Sequence, residues 1–305
     1  MMKMLQTVSK TYLAQTLFLF HCNIKIKVPV EFGELFLDEC FEILEQIDLK
    51  YNSYQSGSYF QKINKNAGSW TEVDENCIEI LKTLRFISEC TNGAYDISCA
   101  PLLHLWGFYR KENLTIPTQN EINETLERVD FRAIEFEENK VRIPKDFKLI
   151  TGSFIKSFAV DELVKFLKEK GVTDAIINAG GSTIFGLNDE THSTWKINLP
   201  NMNEGEKQIS ISNECFCLSA ISNNHIIINE KKYGHILNAV TGYPANSLQV
   251  GVWSKNAFVA DVVSTALFVV DKNDLEETVE RLKTKFEFDY FRIEQNGEKT
   301  TSKCF

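Results

Sequence analysis

The chain has 305 residues, 43% of them hydrophobic, enough to bury a substantial core in one large domain. A formal net charge of -9 argues against a nucleic-acid binder, which carries a basic face, and leaves an anionic ligand dependent on local lysines, helix N-termini or a metal. Eight cysteines without a CxxC pair and five histidines without an HExxH cluster argue against a zinc centre and fit free thiols in a reducing compartment.

The N-terminal stretch to Val28 holds a short apolar patch, Leu17 to Phe20. It is too short to span a membrane and lacks a small-residue cleavage site, so the expectation is a soluble, cytoplasmic protein without a signal peptide. Apolar residues at the even positions from Phe18 to Val28 predict a half-buried strand. Phe32, Leu35, Phe36, Cys40, Ile43, Leu44 and Ile47 then share one helical stripe. A polar loop with a short helical piece precedes a second amphipathic helix, from an N-cap at Asp74 to Thr91, with Ile78, Leu81, Leu84 and Ile87 inward. Residues 93–117 read as aromatic and irregular, followed by a helix at 118–129 and strands near 133–137 and 140–144. Next, a loop opens a helix that stops at Gly171, and DAIINAGG is a strand. Strands dominate from 195 to 253, where Cys215 and Cys217 face the same way. Asn256 caps an apolar helix over 257–270, and 274–285 forms another helix. Hairpins and helices alternate without a regular βαβ repeat, which predicts an α+β fold, and the absence of repeats or Pro/Gly-rich linkers predicts a single domain.

Asp261 lies in the apolar run AFVADVVSTALFVV and needs a partner there, whether a cation, a Lys or Arg, or a proton. Thr265, one turn later, offers a second hard oxygen, so the two suit Mg²⁺; an Asp stabilised near a helix start is the plainer alternative. The adjacent glycines of NAGG (178–181) allow either a ligand against bare backbone or a turn at positive φ. Lys156 opens a helix, where it either serves a phosphate or is simply exposed. His235, read as lying in a strand, is either a general base or a structural side chain. Asp96 and Trp106 either line an aromatic-ring pocket or pack.

Six segments in order carry a resemblance. SYFQKIN (58–64) is similar to Ser-Glu-Leu-x-x-Leu-Asn, and GAYDISCAPLLHLWGF (93–108) to Gly-Ala-Phe-Asp-Pro-Thr-x-x-Pro-Leu-x-x-Leu-Trp-Gly-Phe. GSFIKSFAVD (152–161) sits where Gly-Gly-Ile-Ala-Lys-Gly-Tyr-Ala-Val-Asp is found, and NAGG follows at the expected distance. YGHILNAVTGYPA (233–245) parallels Tyr-x-His-Ile-Ile-Asp-Pro-x-Thr-Gly-x-Pro, and ADVVSTAL (260–267) parallels Ala-Asp-Ala-x-Ser-Thr-Ala-Leu. In these motifs the chain resembles the ApbE family of flavin transferases.

The resemblance implies a T-fold-like, mainly antiparallel sheet with flanking helices over residues 18–295, between an N-terminal extension (1–17) and a C-terminal tail (296–305). It implies an Mg²⁺-dependent FAD:protein FMN transferase that cleaves FAD and joins FMN to a Thr or Ser of an acceptor protein, such as a redox-complex subunit, releasing AMP. Asp261, Thr265 and the carbonyl of Ile155 would hold the metal, and His235 would be the base. Asp96, Lys156, Gly180, Gly181, Tyr54 and Trp106 would bind the flavin nucleotide. A relative that binds flavin without transfer, or a pyrophosphatase giving FMN and AMP, would use the same residues. The chain departs from the motifs at Ile150 (Asp in the family), Ser153 (Gly), Ile155 (Ala), Ser157 (Gly) and Asn238-Ala239 (Asp-Pro), and His21-Cys22-Asn23 replaces Met-Gly-Thr.

Overall fold

Eight segments build one antiparallel sheet in which neighbours in space are successive in the sheet's own chain order. The computed structural model describes residues 10–108, 114–199, 208–221 and 225–302. β1 (Tyr12–Leu19) and β2 (Cys22–Pro29) precede α1 (Glu34–Tyr51), α2 (Tyr59–Lys65), β3 (Thr71–Glu72), α3 (Glu75–Cys90) and α4 (Ala100–Trp106). Then come α5 (Gln119–Leu126), β4 (Glu135–Glu137), β5 (Lys140–Arg142), α6 (Ile155–Glu169), β6 (Ala175–Ala179) and β7 (Thr183–Leu187). β8 (Trp195–Asn198), β9 (Gln208–Ile211), β10 (Glu214–Ala220), β11 (His225–Ile228) and β12 (Lys231–Gly234) follow. The last elements are β13 (Ser247–Ser254), α7 (Ala257–Val269), α8 (Leu275–Lys283), β14 (Asp289–Glu294) and β15 (Lys299–Thr301).

The sheet runs β1-β2-β6-β7-β10-β13-β14-β15, with every neighbouring pair antiparallel. It is a meander whose connections have been enlarged by helices and small hairpins, the α+β arrangement expected from the sequence. The sheet takes up Tyr12–Leu19 and Lys299–Thr301, which reach into the segments read above as extension and tail.

The two-residue period of the strands sorts side chains onto two faces. On β10, Cys215 and Cys217 join the large core under the helices, whereas Phe216 and Leu218 point to the other face. α1, α6 and α7 cover the first face, with Leu44, Leu163, Leu167 and Val263 fully buried among them. The β8–β9 hairpin covers the second, bringing Ile197, Ile209 and Ile211 onto Phe216, Trp253 and Phe291. Gly251 of β13 makes that aromatic cluster possible, because a Cβ there would lie 2.2 Å from the Phe291 ring.

Three expectations are corrected. Residues 18–28 are not one strand: β1 ends at Leu19, and Phe20 and His21, both at positive φ (50° and 61°), turn the chain into β2. Across a two-residue turn an odd position pairs with an even one, so the inward residues are Leu13, Leu17 and Leu19 on β1 but Ile24, Ile26 and Val28 on β2. Phe18 is consequently 64% exposed, and neither turn residue is the Gly, Asn or Asp that would have signalled the reversal. The stretch read as irregular contains α4, with Pro101 in its first turn and Gly107 in the left-handed conformation at its end. His235 lies one residue past β12 rather than within it.

Candidate active site

α7 places two of the three predicted metal-site residues, Asp261 and Thr265. It is buried on every side except at Thr265, the one half-buried residue among thirteen, and an all-round apolar helix of this kind belongs inside a fold. Its N-terminus is closed by Asn256, whose side chain accepts from the Val259 N–H, and by Asp161 of α6, which accepts from the Ala257 and Phe258 N–H groups at 2.7 and 2.8 Å. Its C-terminal carbonyls are taken by Ser247 on Phe268 O, Asn238 on Val269 O, and the buried Arg292 on Leu267 O and Val270 O. With both ends fixed by side chains from other elements, the middle turn carries Asp261 and Thr265 to the wall of a cavity of about 380 Å³.

That cavity brings together Tyr54, Asp96, Lys156, His235, Asp261 and Thr265 from five separate stretches of sequence. Lys156, in the first turn of α6, reaches Asp261 Oδ2 at 3.2 Å, and also Thr183 Oγ1 at 2.8 Å and Ser182 Oγ at 3.2 Å. Burial alone would push the Lys156 ammonium down, but the Asp261 charge, with Cys217 and Cys22 nearby, holds it above its ordinary value. Lys156 is therefore charged. It supplies the partner that the carboxylate in the apolar helix requires, which is the Lys alternative left open by the sequence. Thr265 donates its hydroxyl proton to the Asp261 carbonyl at 3.2 Å and has Ser219 Oγ at 3.4 Å, which leaves one oxygen lone pair for a ligand.

The other predicted residues sit differently. Asp96 is buried at the cavity wall, but one carboxylate oxygen accepts the Ser98 N–H and O–H and the other the Phe131 N–H, all at 2.7 Å. Burial pushes its carboxyl up to about 6, against those hydrogen bonds. Trp106 does not line the cavity: it packs behind the wall with Leu102, Leu103 and Ile122 and donates its indole N–H to Gly242 O at 2.8 Å. Gly180 and Gly181, absent from the lining too, form the β6–β7 turn at φ 68° and 72°. A Cβ on Gly180 would meet Cys22 at 2.9 Å, so turn geometry and close packing both require glycine there. Their neighbour Ser182 is the residue of that turn that reaches the cavity. Ile155 is buried at the first position of α6, directly before Lys156, and its side chain is not part of the lining. His235 lines the cavity with its ring 6.5 Å from that of Phe108.

Sequence reasoning missed Ser219 and the Tyr95–Ser153 pair, which the cavity wall includes. Ser219 follows Cys215 and Cys217 at period two, so its inward face was readable once β10 was recognised. Tyr95 and Ser153 stood in the sequence as differences from the motifs. Their hydroxyls meet at 2.9 Å.

A sheet-and-helix frame that sets one lysine, two aspartates, two histidines and several hydroxyls around a single cavity defines an α+β protein with a site suited to a polar small molecule. The chain belongs to the ApbE family, whose model matches residues 20–288. Among its relatives, the FAD:protein FMN transferase of Treponema pallidum is 25% identical, over 82% of this chain and 75% of its own length. That of Escherichia coli K12 is 23% identical, over 78% and 72%. Two crystal structures share the fold: the ApbE protein of Thermotoga maritima (TM-score 0.85, 24% identity, 96% of this chain and 97% of that one) and the Pseudomonas stutzeri flavinyl transferase ApbE in its apo form (0.81, 22%, 99% and 98%).

Proposed function

We propose that this protein is an FAD:protein FMN transferase, joining FMN through a phosphoester to a Thr or Ser of an acceptor protein and releasing AMP. The observation that carries the reading is the Lys156–Asp261 pair at the cavity wall beside Thr265, within a chain of the ApbE family. In an acidic protein this is where positive charge meets an anionic dinucleotide.

The donor chemistry fits Mg²⁺. Asp261 offers a carboxylate, Thr265 an oxygen whose proton is already donated, and Ile155 a main-chain carbonyl, all hard oxygens. Among the described residues no group of three His, Cys, Asp or Glu gathers, so Asp261 would be the one carboxylate on the ion and substrate phosphates would have to complete it. When bound, Mg²⁺ would neutralise the diphosphate and favour the departing AMP. Lys156 adds a fixed cation to the same region. The acceptor hydroxyl oxygen bonds to the FMN phosphorus as the bond to the AMP oxygen breaks, and His235 takes the hydroxyl proton.

Thr265→Val removes the oxygen while leaving the ion pair in place, and Asp261→Ala removes the carboxylate. Each is expected to lower Mg²⁺-dependent flavin transfer by about two orders of magnitude, with circular dichroism unchanged. Transfer that stays at the wild-type level in both variants would contradict the metal assignment.

A further inference from the structure

Tyr95 and Ser153 differ together from the motifs that the chain resembles, where a Phe and a Gly stand. Restoring both would delete both hydroxyls, and in this structure those hydroxyls are each other's partners at 2.9 Å. Tyr95 is 4% exposed and lines the cavity, and burial raises its phenol above the ordinary value, so it stays protonated. Among the described residues Ser153 is the phenol's only hydrogen-bond partner. The contact admits either hydroxyl as donor, and the direction that satisfies the buried phenol O–H within the protein is Tyr95 donating to Ser153 Oγ.

That assignment fixes the second proton. Ser153 is half-buried in the same wall, one residue ahead of the N-cap of α6 and three ahead of Lys156. Among the described residues its hydroxyl bonds only to Tyr95, whereas that of Ser157, inside the helix, is tied to Phe154 O at 2.9 Å. A serine whose oxygen accepts from a buried phenol has its own proton left to donate, and the open direction is the cavity.

We propose that Ser153 is a substrate-binding residue of this chain: its hydroxyl, oriented by Tyr95 as a positioning residue, donates to an anionic oxygen of the bound dinucleotide beside Lys156. The proposal rests on the flavin-nucleotide reading above. It replaces the bare backbone of a glycine with a directed donor, and a tyrosine is the residue that holds the donor in place.

The test is equilibrium binding followed by quenching of flavin fluorescence, with FAD and with riboflavin, which lacks phosphate. Tyr95→Phe and Ser153→Ala are each expected to weaken FAD binding by about tenfold, the scale of one hydrogen bond to a charged group. The double variant loses no more than either single one, because the two act as a unit. Ser153→Thr keeps the donor and stays within about twofold of wild type, and riboflavin binding is unchanged throughout. A residue that only packs the wall would shift the melting temperature without this pattern. FAD affinities unchanged in both single variants, losses that multiply in the double variant, or an equal loss for riboflavin would overturn the pair while leaving the flavin reading intact. A wild-type protein that binds no FAD would overturn both.

Discussion

Asn238 holds three main-chain groups at once: its amide donates to Val269 O at 2.9 Å, and its carbonyl accepts the Val240 and Thr241 N–H groups at 2.9 and 3.0 Å. The related motif has Asp at this position, and an aspartate has no proton for the Val269 carbonyl. Asn238→Asp is therefore expected to destabilise the protein by about 1–3 kcal/mol in urea unfolding, although it restores the family residue. No loss would mean that the amide contact is dispensable. The next residue follows the same logic: the Ala239 N–H donates to Ala94 O at 2.9 Å, a bond that the proline of the motif could not make. Asp96 has a different signature. Its carboxyl is held up at about 6 against an ordinary 3.8, so between those values the folded state keeps a proton that the unfolded chain has released. The stability it contributes is complete at low pH and lost as pH rises from about 4 to about 6. The unfolding free energy of wild type minus that of Asp96→Asn should fall across that window, by up to about 3 kcal/mol. A flat or rising difference would contradict the burial argument.

At the scale of the element, α7 matters because both of its ends are closed by side chains from elsewhere. Arg292 of β14 is 3% exposed, donates to Leu267 O and Val270 O, and pairs with Glu294 at 2.7 Å. Arg292→Leu leaves those carbonyls and Glu294 without it and is expected to destabilise by about 3 kcal/mol or more, read as a lower urea midpoint. Since the helix carries Asp261 and Thr265, FAD affinity should weaken in the same variant at temperatures where it remains folded. Affinity unchanged despite the lost stability would show that the cap does not position the site. The helix itself was legible: a long apolar run behind an Asn N-cap, broken only by Asp261, Ser264 and Thr265 at helical spacing, has few other readings. Its C-terminal closure was not, because Ser247, Asn238 and Arg292 come from three separate stretches of chain. The β1–β2 hairpin was hidden for a local reason, a turn through Phe20 and His21 that lacks turn residues.

For the whole molecule, the sheet follows the chain as a meander, and the inserts between its strands supply the cavity. α6 precedes β6, Ser182 lies in the β6–β7 turn, His235 follows the β11–β12 hairpin, and α7 follows β13. Order along the sequence is thereby turned into convergence in space. The α+β class was readable from the succession of hairpins and helices. Of the residues expected at a flavin, metal or catalytic site, Lys156, Asp261, Thr265, His235, Asp96 and Tyr54 line one cavity, whereas Trp106 packs behind the wall and Gly180 and Gly181 shape a turn. A conspicuous Trp or Gly-Gly looks the same in sequence whether it touches a ligand or supports what does. Among the described residues no helix is long and apolar enough to cross a membrane.

The measurement that bears most directly on the function is the mass of an acceptor domain carrying a reactive Thr, after incubation with the protein, FAD and Mg²⁺. The expected result is an acceptor heavier by one FMN less one water, an equal amount of AMP in solution, no product with EDTA, and about a hundredfold slower appearance of both products with Asp261→Ala. An unmodified acceptor with FMN and AMP both free in solution would contradict transfer and identify a pyrophosphatase instead.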